Sequence, residues 1–285
     1  MKNKKQVKIG SVLCMTILIS IMGYMQQNAI AESKPQVAPA ESAQLSEKQA
    51  AAKDMIMRMA EFLAKTKRFS VNLKSSYGVL QDSGQMIEFG EHRKIIVSRP
   101  NGLHVEVDHG GGKKNIVQYD GKEITVFSPS LNVYAQTYKF GGIDEAIKYF
   151  LRDLGMRLPL AVLLVSKSAE EIDRRTQVFN YVEDTVIDGV PAHHLAGRTE
   201  TVDYQVWITE GTQPLPLRIV LTYKNEEGHP THRVQFSDWN LTPKVKDSQF
   251  SFTPSEGARK IAFLAKLPKT VLEGPTKPEQ TGESK

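Results

Sequence analysis

Apolar and polar side chains alternate along one stretch of the chain, Phe69-Ser70-Val71-Asn72-Leu73-Lys74-Ser75-Ser76-Tyr77-Gly78-Val79. Residues 69, 71, 73, 77 and 79 are apolar, whereas residues 70, 72, 74 and 76 are polar. Successive side chains of an extended chain point to opposite faces. The period of two therefore predicts a β-strand with one buried face and one face in water.

The same alternation recurs in several runs after this strand. The further runs are Ile87–Phe89, Leu103–Val107, Ile124–Val126, Leu131–Ala135, Tyr204–Ile208, Leu217–Tyr223 and Val234–Phe236. The pairs Asn101-Gly102, Asp120-Gly121 and Asp188-Gly189 separate strands and tolerate the positive φ angles of tight hairpins. The sequence thus predicts a mainly β fold of the α+β class, built on one large, curved antiparallel sheet.

Two helical regions are predicted to cover that sheet. Ser46-Glu47-Lys48-Gln49 has the form of a capping box, and apolar residues at helical spacing follow it, which indicates a helix over about 46–66. A helical insertion over about 142–175 interrupts the strands. Within it the run 160–165 is continuously apolar, so it requires cover on most sides.

The N-terminus has the layout of a secretory signal peptide. Lysines at positions 2, 4, 5 and 8 precede the apolar run 9–25, and Ala29-Ile30-Ala31 forms a small-x-small cleavage site. We expect residues 1–31 to be cleaved near Ala31 and the remainder to be periplasmic. The compositions predict a flexible linker over 32–45, a folded domain over 46–265 and a disordered tail over 266–285.

Export changes the chemistry that the chain can perform. Cys14 lies in the signal and is the only cysteine, so disulfides, thiolate catalysis and cysteine zinc sites are not expected afterwards. Removing four lysines from the 37 basic residues leaves 33 against 32 acidic ones, a net charge of +1. Because nucleic-acid binding needs a strong positive field, no nucleic-acid partner is predicted.

No catalytic or metal motif stands out. His109-Gly110-Gly111-Gly112 resembles an oxyanion loop, but without a Gly-x-Ser-x-Gly elbow it is better interpreted as a hairpin connection, and no enzyme activity is predicted.

The histidines do not form a recognisable metal site. Neighbouring His193 and His194 would face opposite sides of a strand, and His229 and His232 are expected in or beside an exposed turn. The acidic set Glu200, Asp203 and Glu210 shows no fixed pairing. No metal and no cofactor are expected.

The C-terminal third resembles a known family. The segments that carry the resemblance are 207–219, beginning Trp207-Ile208-Thr209, and 250–258, beginning Phe250-Ser251-Phe252, with support from 119–122, 132–134 and 188–195. They are similar to uncharacterised bacterial periplasmic proteins allied to the LolA/LolB lipoprotein-carrier superfamily. The resemblance implies a half-open β-barrel of about eleven strands, closed on one side by helices, with a hydrophobic cavity for a lipid or a lipoprotein acyl chain.

A ligand-binding cavity is thus one interpretation of the apolar sheet face, and a filled core is the other. For the cavity we predict a set of lining residues on the strands and three lid residues. They are Phe69, Val71, Leu73, Leu103, Val105, Val133, Val206, Ile208, Leu217, Ile219 and Leu221, with Leu160, Leu163 and Leu164 as the lid. The predicted function is a non-enzymatic periplasmic carrier; the alternatives are an envelope sensor or interaction domain with a membrane-protein partner, and a hydrolase using His109.

Overall fold

This computed structural model describes residues 39–154 and 158–263. The predicted signal peptide and the tail from 266 lie outside the described residues, and those two predictions stay open. Apart from Pro39, the described residues belong to one compact unit, residues 40–285. Among them, no helix combines the length and the apolar character that a membrane crossing requires.

Twelve strands form a single sheet. In chain order the first six are β1 Arg68–Leu80, β2 Met86–Ser98, β3 Gly102–Asp108, β4 Lys114–Tyr119, β5 Glu123–Ser128 and β6 Val133–Tyr138. The other six are β7 Val178–Ile187, β8 Val190–Arg198, β9 Val202–Thr209, β10 Pro216–Tyr223, β11 Thr231–Asn240 and β12 Arg259–Ile261.

The sheet is open, with the order β12-β6-β5-β4-β3-β2-β1-β11-β10-β9-β8-β7. Neighbouring strands are antiparallel except β12, which pairs in parallel with β6. The two meanders β1–β6 and β7–β11 join where β1 pairs with β11. The predicted mainly β fold with an antiparallel sheet is confirmed, and β12 adds a twelfth strand to the eleven or so that the resemblance implies.

The alternation in β1 sets the two faces of the sheet. Phe69, Val71 and Leu73 are buried, whereas Ser70, Asn72 and Lys74 are more exposed. The register carries this division across the sheet, since Leu73 lies opposite Arg93 of β2 and Phe236 of β11. We call the face that carries Phe69, Val71 and Leu73 the inner face.

Helix α1, Pro39–Lys65, covers part of the inner face. Its buried stripe consists of Ala52, Ile56, Met59, Ala60 and Leu63, at the spacing of one face of a helix. Burial of each large side chain in this stripe contributes about 1.5–3 kcal/mol. The helix is described from Pro39 onward, so it includes residues 39–45 of the predicted linker and extends N-terminally beyond the capping box at 46.

The predicted helical insertion between β6 and β7 is confirmed and is made of short, dissimilar pieces. They are α2 Ile143–Lys148, a π-helical turn Tyr149–Asp153, a 3-10 turn Ala161–Leu163 and α3 Ser168–Arg175. Ile143, Ala146 and Ile147 of α2 are buried in the same core as α1 and the strands. Together with α1, the insertion covers the inner face.

Candidate ligand-binding cavity

A cavity of 340 Å³ lies between the inner face of the sheet and the helical cover. Strands β1 to β5 and β11 supply one wall, and α1, α2 and the residues from Leu158 to Leu164 supply the other. Most of its lining is apolar, which is typical of sites for small hydrophobic ligands. The described side chains therefore do not fill the inner face completely.

Eight of the predicted lining and lid residues meet at this cavity. They are Phe69, Val71, Leu73, Leu103, Val105, Leu160, Leu163 and Leu164. The first five come from β1 and β3, which flank β2 in the sheet, and their side chains share one face because of the period of two. The last three lie in the apolar run of the insertion, which we define as the cover segment, residues 158–165.

A second cavity of 140 Å³ lies on the other side of the cover segment. The predicted residues Val206, Ile219 and Leu221 line it. Leu160 and Leu163 line both cavities, so the cover segment separates them. A movement of that segment would change the volume and the access of both spaces at once.

Three predicted residues line neither of these cavities. Ile208 is fully buried in the main core, and Val133 is half-buried on β6 opposite Arg259 of β12. Leu217 packs instead with Ile187, Ala192 and Trp207 in a separate small cluster. A bulge between Pro216 and Arg218 explains this placement, because an extra residue in a strand reverses the side-chain alternation beyond it.

One end of the larger cavity is polar, and the sequence-based prediction did not include it. We define the polar rim as Glu91, Arg93, His109 and Asn115, all of which line the cavity. Arg93 Nη2 contacts Glu91 Oε1, and the second carboxylate oxygen of Glu91 lies 3.2 Å from His109 Nδ1. Asn115 Nδ2 donates to His109 Nε2 at 3.2 Å. The Glu91 side chain is only 5% exposed.

The glycines after His109 form the predicted hairpin connection. Gly110, Gly111 and Gly112 all have positive φ angles, from 59° to 79°, which glycine adopts without steric cost. Lys113 N donates to Gly110 O at 3.1 Å and closes the turn between β3 and β4. The loop therefore holds the His109 imidazole at the polar rim.

Arg99, in the turn between β2 and β3, forms hydrogen bonds with both the cover segment and helix α1. Its Nη1 donates to Leu164 O at 2.8 Å, in the cover segment, and its Nη2 donates to Leu63 O at 3.4 Å, near the end of α1. Burial lowers the pKa of Arg99, and nearby Asp144 acts in the opposite direction. Asp144 itself accepts hydrogen bonds from Ser166 N at 3.0 Å and Ser166 Oγ at 2.6 Å.

An exposed cluster lies away from the cavity. Single ligand atoms of Asp184, His193 and Glu210 lie within 4.8 Å of one another. Asp184 accepts hydrogen bonds from the Tyr181 hydroxyl and from His193 Nδ1, and these bonds lower the pKa of Asp184. Because these internal hydrogen bonds account for the cluster, we assign no metal to it.

His232 lies at the start of β11, beside the exposed turn as predicted, but its side chain is buried. It is 5% exposed on β11, with its ring 6.3 Å from that of Tyr77, whereas His229 lies in the exposed turn as expected. Burial lowers the pKa of His232; Arg93 lowers it further, and Glu91 opposes the shift. Burial at this position therefore favours the neutral form of the imidazole in the folded protein.

This burial predicts a pH dependence of stability. Since the folded-state pKa of His232 lies below the unfolded value of 6.5, the unfolded chain binds more protons as the pH falls below about 6.5. Stability is then lost on acidification, and His232→Gln should flatten the curve of urea midpoint against pH below about 6.5. His229→Gln should keep the wild-type curve, because His229 is exposed. Parallel curves for wild type and His232→Gln would contradict the prediction.

The fold and the cavity define an open-sheet β domain with an internal apolar site under a helical cover. The family described as Predicted periplasmic protein (DUF2092) matches residues 52–264. The chain belongs to this family, so the sequence-based resemblance to an uncharacterised periplasmic family is confirmed. Cleavage near Ala31 stays a prediction. No curated protein sequence matches the chain.

Several solved structures are similar to the chain. An uncharacterized conserved protein from Thermus thermophilus is 11% identical with a TM-score of 0.43, over 74% of this chain and 99% of that one. LprF from Mycobacterium bovis is 11% identical with a TM-score of 0.42, over 69% and 96%. A LolA superfamily protein from Nitrosomonas europaea is 12% identical with a TM-score of 0.35, over 70% and 97%. Likeness at this level transfers neither a ligand nor a partner to this chain.

Proposed function

We propose that this protein is a non-enzymatic periplasmic carrier that binds a hydrophobic ligand, a lipid or an acyl chain. The observation that carries the proposal is the 340 Å³ cavity with its largely apolar lining. Apolar side chains that line a cavity make fewer packing contacts than those in a filled core, and neighbouring atoms do not shield them from water. A ligand that fills the space recovers both, which supplies the free energy of binding.

The cover segment supports the proposal because it is suited to move. Leu160 has a φ of 67°, in the left-handed region that a bulky residue adopts only under strain. Strain of this kind costs about 1–3 kcal/mol and often marks a segment that changes conformation in function. Opening of the segment would join the two cavities that Leu160 and Leu163 now separate.

Native mass spectrometry tests the proposal. The full chain is exported in a bacterial host, purified from the periplasm without detergent, and weighed before and after lipid extraction. We expect an additional mass of one lipid or fatty acid that extraction removes. A chain that carries no lipid, and that also binds no fluorescent fatty acid after delipidation, would contradict the carrier function.

A second candidate, a protein-interaction domain, is supported by the edge strand β7. Val182 and Val186 are 49% and 60% exposed on this strand, whose outer edge pairs with no other described strand. An extended segment of a partner can pair with such an edge. In the same mass spectrum, a retained envelope protein in place of a lipid would favour this function.

A further inference from the structure

We propose that the polar rim recognises a zwitterionic head group, with a phosphate bound at Arg93 and an ammonium group bound at Glu91. The ligand would be a single-chain phospholipid whose acyl chain lies in the 340 Å³ cavity. This inference rests on the proposed carrier function and specifies the class of its ligand.

The two charged residues stand where a head group would lie. Glu91 and Arg93 are two positions apart on β2, so their side chains leave the same inner face about 7 Å apart along the strand. Ile95, the next residue on that face, lines the cavity together with Leu73 and Val105. The wall therefore changes from apolar to charged along one strand, which matches a molecule with an apolar chain and a polar head.

Structural stability does not explain this pair of charges well. Moving ions out of water is costly, and replacing a buried ion pair with apolar residues is often neutral or stabilising. The Glu91 side chain is 5% exposed and the Arg93 side chain 24% exposed. Arg93 Nε is buried without a hydrogen-bond partner among the described residues, so its guanidinium is incompletely satisfied. A phosphate can accept two hydrogen bonds from such a group.

The surroundings of the rim favour a head group that carries both charges. Glu91 and Arg93 also line an open groove together with Glu227, His232 and Pro159, so the rim connects the cavity to solvent. A purely anionic head would meet the carboxylates of Glu91 and Glu227, whereas an ammonium group is attracted to them. The cavity volume is near the lower end of the range of about 300–1,000 Å³ for ligand sites, which favours one acyl chain.

Calorimetric titration of the delipidated full chain tests the head-group specificity. Four ligands with the same acyl chain are compared below their critical micelle concentrations: lysophosphatidylethanolamine, lysophosphatidylglycerol, the free fatty acid and the monoacylglycerol. We expect the phosphoethanolamine head to bind about tenfold or more tightly than each of the others. Equal affinities, or a preference for phosphoglycerol, would overturn the inference and leave the carrier function intact. Failure of all four to bind would contradict the carrier function itself.

Substitutions assign the two charges. Glu91→Gln should remove the preference for phosphoethanolamine over phosphoglycerol by strengthening phosphoglycerol binding, a gain that misfolding cannot imitate. The double variant Glu91→Gln/Arg93→Gln keeps the net charge and leaves no lone buried ion; it should bind all four ligands about equally. Arg233→Gln, on an exposed position of β11, should leave the order of affinities unchanged. An unchanged preference in both rim variants would overturn the assignment.

Discussion

Replacing Val105 with tryptophan is expected to abolish ligand binding while the domain remains folded. Val105 lies on β3 between Ile95 and Val117, and all three residues line the cavity. An indole at this position projects into empty space rather than into packed core, so its cost in stability should stay within about 1–3 kcal/mol. Titration with a fluorescent fatty acid should show an affinity at least about tenfold lower, because the chain can no longer be buried.

The matched control places the same substitution outside the cavity. Val186 on β7 is 60% exposed, so Val186→Trp should bind the fatty acid as the wild type does. Thermal unfolding of both variants shows whether each is folded. Wild-type affinity in a folded Val105→Trp variant would mean that the ligand binds elsewhere.

Alternating side chains predicted strands such as β1, β9 and β11, in which buried residues alternate with more exposed ones. The edge strands β7 and β12 carry less of this signal. On β7, Val182 and Val186 are exposed, and Arg259–Ile261 of β12 is short and exposed throughout. A strand with few buried residues shows little of the period of two, and its pairing partner is then needed to identify it.

The cavity lining was predictable to the extent that it follows local alternation. The polar rim was not, because Glu91 and Arg93 resemble the charged residues of any wet strand face. Only the register, which places Arg93 opposite Leu73 and Glu91 opposite Ser75, shows that they lie on the inner face. The bulge in β10 directs the Leu217 side chain into a separate cluster, and nothing in the hydrophobic pattern of the sequence predicts this bulge.

Replacing Arg99 with methionine is expected to weaken the attachment of the cover segment to the sheet. Methionine retains much of the apolar stem but removes the donors to Leu164 O and Leu63 O. Hydrogen bonds from charged groups contribute about 1.5–3 kcal/mol each, and the second bond here is long, so the free energy of unfolding should fall by about 2–4 kcal/mol. In hydrogen exchange, the amides of the cover segment should lose more protection than those of the central strands β1 and β2.

The effect should extend to the ligand, since the cover segment lines both cavities. A bound fatty acid is expected to dissociate faster from Arg99→Met than from the wild type in a stopped-flow displacement measurement. Arg58→Met is the matched control: Arg58 is exposed on α1, where it pairs with Asp54 at 2.8 Å, so its loss should cost no more than about 0.5 kcal/mol. If Arg99→Met lowered stability without changing either the protection of the cover segment or the dissociation rate, Arg99 would stabilise the domain as a whole and would not hold the cover segment in place.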